Sequence, residues 1–369
     1  MTRAAKLKPL SGARYRESDL PAYRRLLDPW LPPRILDFHV HTWTGAQWKV
    51  KPWQARRAGA SYMVVETEYS HEQVRADGRL FFPGRAYEAV VFGNPTPAVD
   101  LAAANAYSAE AGRFPGLHPL LITGRGSYPP AELKRLVEEG GFAGYKVFLN
   151  WFGNDYRDIT VPQMIGPAEM RLAHERRLVV LLHVPRDERL AHPAVRAGVE
   201  RLASDWPGVS LVLAHCGRCY LPAEMRAALA GPEARGLRRL PNLYFDTSMV
   251  MDPAALAILL GEVESSRVLF ATDLPVARMR GRRVAVLDHW VDLVLPDEPA
   301  SAFRVQSDNM RASFMVYEIC LAIREAAELA GLRRRELEAI FWDNGRRLLA
   351  RARPGGVPKS AKADQRKSA

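Results

Sequence analysis

Arg34-Ile35-Leu36-Asp37-Phe38-His39-Val40-His41 is the stretch on which the reading of this chain turns. An apolar run of strand length closes in two histidines one residue apart. Successive strand side chains alternate between faces, so His39 and His41 project the same way, roughly 6–7 Å apart along the backbone. Two imidazoles so placed can grip one metal ion. Two histidines also meet by chance, so the pair gains its meaning from the rest of the chain.

Seven further apolar runs of strand length come after it, bounded by polar residues, Gly or Pro: 62–66, 117–122, 144–149, 178–184, 209–215, 242–247 and 268–273. Most are near-continuous hydrophobic stretches, as parallel strands buried on both faces require. Helix-like segments lie between them, at 131–139, 166–177, 194–204, 222–229 and 253–263. Eight strand–helix units predict an α/β fold, a (β/α)8 TIM barrel. Such barrels keep their chemistry at the C-terminal ends of the strands, and there the polar residues fall. Strand one ends in His39 and His41, strand two in Glu66, strand five in His183, strand six in His215, strand seven in Asp246 and strand eight in Asp273, while strand four carries Lys146. Four of the nine histidines thus close a strand rather than scatter among loops, which points to a metal site.

The ordered pieces D-F-H-V-H, G-Y-K-V-F, L-L-H-V, L-A-H-C-G, Y-F-D-T-S and F-A-T-D-L-P, with I-F-W-D-N-G-R-R-L-L at 340–349, resemble the amidohydrolase superfamily. Within it they are most similar to the amidohydrolase-related branch typified by aminocarboxymuconate-semialdehyde decarboxylase. The resemblance spans roughly residues 34–349 and is specific in its ordered His-x-His, His, His, Asp constellation. It implies His39, His41, His183 and Asp273 as metal ligands, with His215 and Asp273 as catalytic groups. That ligand set suits a divalent ion, Zn²⁺ first, with Fe, Mn or Co as other occupants. Such an ion lowers the pKa of a bound water to about 7 and so supplies a nucleophile at neutral pH. In binuclear relatives a strand-four lysine is carbamylated and bridges two ions; the branch resembled here is mostly mononuclear, so one ion per chain is favoured over two, with Lys146 binding substrate carboxylate or pairing with Glu66.

Arg186 and Arg218, each three residues past a site histidine, are candidate forks for a substrate carboxylate, or else loop anchors. Asp246 is a candidate hydrogen-bond partner for His215, or else a cap for the loop Thr247-Ser248. Trp43, Trp48, Trp53 and Trp151 are candidate pocket walls or packing residues, and His71, His118, His174, His192 and His289 fit no constellation. Cys216-Gly217-Arg218-Cys219 forms a lone C-x-x-C, read as incidental spacing; with three cysteines in all, no disulfide framework is expected.

At 369 residues the chain exceeds the roughly 250 of one barrel. Residues 1–30 are read as an N-terminal extension, 31–353 as the barrel with C-terminal helices, and 354–369 as a disordered basic tail. The excess within the barrel is assigned to a lid loop inserted at 69–98 and to a second insertion at 277–313. The net charge of +11 is concentrated at the ends, +4 in residues 1–30 and +3 in 354–369, which argues against a nucleic-acid surface. No apolar run reaches the ~18 residues of a membrane span and residues 1–12 carry no secretory core, so a cytoplasmic protein acting on a small molecule is expected, with homo-oligomerisation left open. The functional expectation is hydrolysis of a C–N or C–O bond by metal-activated water. The alternative is non-oxidative decarboxylation of a small carboxylate by the same ligands, and a barrel that only binds metabolites is disfavoured by the intact ligand set.

Overall fold

The computed structural model describes residues 10–50, 68–94, 96–149, 156–295 and 312–355. Strands β1 (Arg34–His41), β2 (Ala86–Phe92) and β3 (Leu117–Pro119) pair in parallel, in that order. Strands β4 (Leu121–Ile122), β5 (Gly144–Val147), β6 (Val179–Leu182), β7 (Ser210–Leu213), β8 (Leu243–Asp246) and β9 (Val268–Leu269) form a second parallel run. β3 and β4 are one stretch of chain interrupted at Leu120, whose N–H still donates to Val91 O at 2.9 Å. Three backbone hydrogen bonds join the outer edges: Phe38 N–H to Phe270 O (2.9 Å), His41 N–H to Leu274 O (2.8 Å) and Asp273 N–H to His39 O (2.9 Å). The fold is α/β, of the TIM-barrel type.

Alternation along the strands splits the core in two. Leu36, Phe38, Val90, Phe92, Leu120, Ile122, Phe148, Val179, Leu181, Val212, Ala214, Tyr244, Leu269 and Ala271 pack together as the barrel interior. Their neighbours along each strand, such as Ile35, Val91, Tyr145, Val180, Leu211, Phe245 and Phe270, pack under the helices. Helices Pro130–Gly140, Pro167–Arg176, Pro193–Asp205, Pro222–Leu229 and Pro253–Glu262 cover the strands, each opening on a proline whose missing N–H costs nothing at that position. Among the described residues no helix is long and apolar enough to cross a membrane.

One sequence expectation needs correction. The described strand next to β1 is Ala86–Phe92, which pairs with it from Arg34↔Ala86 to His41↔Phe92. The segment 69–98 is therefore no lid loop; it holds the helix His71–Phe81, capped by Ser70, and a strand of the barrel. Its Gly, Pro and aromatic residues (Phe81-Phe82-Pro83-Gly84-Arg85) make the helix-to-strand turn, with Phe81 and Phe82 in the core. Residues 62–66, and with them Glu66, lie outside the described residues. The second insertion contains an antiparallel hairpin, β10 (Gly281–Val286) and β11 (His289–Val294), and helix Met315–Leu329 comes next.

The N-terminal extension is packed on the barrel. In its helix Leu20–Leu26, Tyr23 is buried and donates to Pro83 O at 3.1 Å, while buried Asp19 accepts from Arg280 at 2.6–3.2 Å.

Candidate metal centre

His39 and His41 share a face, as the strand period requires, but which face is set by a register irregularity. From Asp37 to Val40 strand β1 advances three residues while β2 advances two, Ala89 to Val91. Leu36 and Phe38 point inward; plain alternation would then send His39 and His41 outward to the helices. The extra residue reverses the parity. Both imidazoles consequently meet the interior ring of Phe92, at 5.1 and 4.7 Å between centroids. On β5, β8 and β9 no such device is needed: Lys146, Asp246 and Asp273 continue the inward rows of Phe148, Tyr244 and Ala271. His215 comes directly after inward Ala214 and is turned by a left-handed backbone, φ 54° at His215 and 51° at Cys216. Asp273 also sits at positive φ, 69°, and such strained residues concentrate at functional sites.

Two segments, β1 and the chain just after β9, bring His39 Nε2, His41 Nε2 and Asp273 Oδ1 face to face. Asp273 Oδ1 is 3.0 Å from His41 Nε2 and 3.5 Å from His39 Nε2. A tetrahedral ion with bonds near 2.0–2.1 Å has ligand-to-ligand edges of about 3.3 Å, so the spacing matches. The hydrogen bonds behind the rings support the same conclusion. His39 Nδ1 donates to Asp246 Oδ2 at 2.9 Å and His41 Nδ1 donates to Gly93 O at 3.0 Å. With both Nδ1 positions committed, the neutral rings aim Nε2 lone pairs at a carboxylate, and a cation is what relieves that arrangement. Burial, the largest cause for each, lowers the pKa of His39 well below and of His41 below the ordinary histidine value, so protons fill the gap poorly.

Around this trio, Lys146 Nζ lies 3.3 Å from His39 Nε2 and over the faces of Phe92 and Phe148, 4.9 Å from each centroid. Burial pushes its pKa down to about 7 against the opposing pull of Asp246 and Asp273. The His215 ring lies 4.9 Å from the His39 ring, tilted to it; its Nδ1 is 3.1 Å from Ser248 O and 2.8 Å from Ser248 Oγ, and burial lowers its pKa to about 3. His39, His215 and Asp246 form a second group of facing ligand atoms.

Several expected residues fall elsewhere. His183 is reached through the His215 ring, 5.0 Å away, and belongs to neither group of facing ligand atoms. Asp246 serves the ring of His39 rather than that of His215, whose backbone N–H it accepts at 2.8 Å. Arg218 anchors a loop: it donates to Val184 O (3.2 Å) and Arg186 O (2.8 Å). Among the described residues the Arg186 guanidinium makes long contacts, 3.5 Å to His192 Nε2 and 3.4 Å to Asp158 O. Trp43 is fully buried and packs on Tyr69 at 6.3 Å, while Trp53 and Trp151 lie outside the described residues. Cys216 and Cys219 are buried free thiols.

Sequence reasoning missed Ser248, Gly93 and Tyr220, the last with its ring 5.9 Å from His215. Ser248 lies two residues past Asp246, where a strand-end carboxylate and a hydroxyl could have been paired; the Gly93 carbonyl and the Tyr220 ring left no signal in the sequence.

The amidohydrolase family model matches residues 36–351, from β1 through the last helix, Asp343–Arg351. This chain belongs to the amidohydrolase family. Amidohydrolase-fold structures agree in shape at low identity. A 4-oxalomesaconate hydratase from Rhodopseudomonas palustris has a TM-score of 0.54 at 18% identity, over 86% of this chain and 96% of that one. An amidohydrolase from Bifidobacterium longum subsp. infantis gives 0.52 at 17%, and a zinc-bound amidohydrolase from Burkholderia multivorans 0.51 at 17%, each over 86% of this chain and 99% of its own. No curated protein sequence matches the chain.

Proposed function

We propose that this amidohydrolase is a metal-dependent hydrolase that cleaves a C–N or C–O bond of a small anionic molecule. The observation that carries the reading is the facing set of His39 Nε2, His41 Nε2 and Asp273 Oδ1, with both Nδ1 protons already committed. His183 completes the proposed ligands, and zinc, one ion per chain, is the proposed occupant. Such an ion supplies Lewis acidity, acidifying a water and polarising a substrate oxygen.

The chain's own groups supply the rest. Asp273 takes the water's proton and passes it to the leaving group. His215, held by burial as the neutral ring and tied at Nδ1 to Ser248, uses Nε2 to orient the water against the scissile carbonyl. Lys146 balances the charge of Asp246 and Asp273. Arg186, whose guanidinium is less committed than that of Arg218, holds the substrate's carboxylate.

Two measurements test the reading. Elemental analysis should find one equivalent of a divalent transition ion, reduced in His39→Ala, His41→Ala and Asp273→Ala; no uptake after incubation with Zn²⁺ or Mn²⁺ removes the mechanism. In a panel of lactones, amides and aromatic carboxylates, the lactones and amides should release acid and the aromatic carboxylates no CO₂, with KM for anionic lactones and amides raised in Arg186→Ala. Release of CO₂ without hydrolysis moves the assignment to the decarboxylase class.

A further inference from the structure

Asp37 carries none of the expected chemistry, yet it is fully buried beside the centre and its carboxylate accepts four hydrogen bonds. Oδ1 takes the backbone N–H of His39 (3.2 Å) and of Thr272 (3.0 Å); Oδ2 takes the hydroxyls of Thr272 (2.5 Å) and Tyr87 (3.0 Å). Three of these donors, from the two residues His39 and Thr272, belong to the segments that present the facing atoms. His39 is itself one of those residues and lies within the register irregularity that turns His39 and His41 inward. Thr272 immediately precedes Asp273. An irregular strand takes an N–H off the ladder, and a buried N–H needs another partner; for His39 that partner is Asp37.

One rigid carboxylate therefore spans the gap between β1 and the segment after β9 that only three backbone bonds otherwise join. We propose that Asp37 is the positioning residue of the metal centre, locking the β1 irregularity to the Thr272 turn and so fixing the separation of the two histidines from Asp273. The inference rests on the metal reading of the site. It concerns geometry rather than chemistry: Asp37 faces the helix layer, on the same side of β1 as Ile35, and is not one of the facing ligand atoms.

The test is Zn²⁺ affinity, measured on metal-free protein by competition with a chromophoric chelator, alongside thermal unfolding of the same samples. Wild type is compared with Asp37→Asn, Thr272→Val and Tyr87→Phe. Asp37→Asn keeps one acceptor oxygen; Thr272→Val keeps shape but loses its bond to Asp37 and the 3.2 Å bond that its hydroxyl accepts from Leu274 N–H. Both should bind Zn²⁺ about 10–100-fold more weakly, the range for groups that orient metal ligands. Tyr87→Phe loosens the same carboxylate from the side that bears no ligand; it should lower the unfolding temperature and leave affinity unchanged. Should Asp37→Asn not fold, Thr272→Val decides. Wild-type affinity in the folded variants, or an equal loss in Tyr87→Phe, overturns the proposal while leaving the metal reading intact. Absence of Zn²⁺ binding by wild type overturns both.

Discussion

His39 shows how much a single side chain owes to its neighbours. Its Nδ1 proton is fixed by Asp246, which leaves Nε2 as the lone pair facing Asp273. Asp246→Asn would present an N–H₂ to that ring and drive the proton to Nε2; metal affinity should fall about 10–100-fold, read by chelator competition. His215→Asn, by contrast, should retain the ion and lose roughly 10²–10⁴ in kcat. The buried histidines also set a pH dependence for the metal-free protein. His39 and His183 lie well below the ordinary value and His215 at about 3, burial being the largest cause in each. Below pH 6.5 the unfolded chain binds these protons and the folded chain does not, so stability drops as pH falls. Each such histidine costs up to about 2 kcal/mol between pH 6.5 and 5. Asp37 works in the opposite sense: burial raises its pKa to about 7, so the folded chain holds a proton that the unfolded carboxyl releases. His41 and His71 are lowered as well, and Asp77 and Glu318 raised, by burial; with five histidines against three carboxyls, the urea midpoint should drop from pH 7 to pH 5, and added Zn²⁺ should restore part of it by binding the folded state.

At the scale of elements, the hairpin β10–β11 is tied down by a buried pair. Arg283 Nε and Nη2 meet Asp292 Oδ1 and Oδ2 at 2.8 and 3.0 Å, and the guanidinium lies 3.7 Å from the centroid of Trp290 and 4.6 Å from that of Tyr220. Tyr220 in turn touches Trp290 at 5.3 Å and the His215 ring at 5.9 Å, so the hairpin forms a wall beside His215. Arg283→Ala leaves a buried aspartate and removes the stack; it should cost about 3–5 kcal/mol in denaturant unfolding. Arg283→Lys keeps the charge but loses the two-pronged geometry, and should recover only part of that loss.

Across the whole molecule, residues far apart in sequence hold the segment after Asp273. Arg278 pairs with Asp77 of the helix His71–Phe81 at 2.7 Å, and Arg280 with Asp19 of the N-terminal extension at 2.6 Å, all four side chains buried. The extension is thus a buttress of the barrel. Asp19→Ala should destabilise the protein by about 3–5 kcal/mol, as breaking a buried pair does. A denaturation midpoint equal to wild type would show that the extension is only docked.

By itself the sequence determined the periodic features. Apolar runs at near-regular intervals specify parallel strands, and prolines ahead of amphipathic stretches specify where helices begin. The histidines and aspartates that close those runs specify where the chemistry gathers, since local propensity and alternation act over a few residues. From sequence alone 86–92 reads as part of a lid loop, because a short apolar run is recognised as a strand only through its pairing with β1. The sequence also could not tell which face His39 and His41 would take: one extra residue in β1 inverts every side chain beyond it, and that residue exists only relative to β2. The partnership of Asp246 with His39, the clamp at Asp37 and the wall behind His215 join residues about 70 to 235 positions apart. Tertiary packing decided these, because contacts at such separation arise from the folded chain and leave no periodic trace in the sequence.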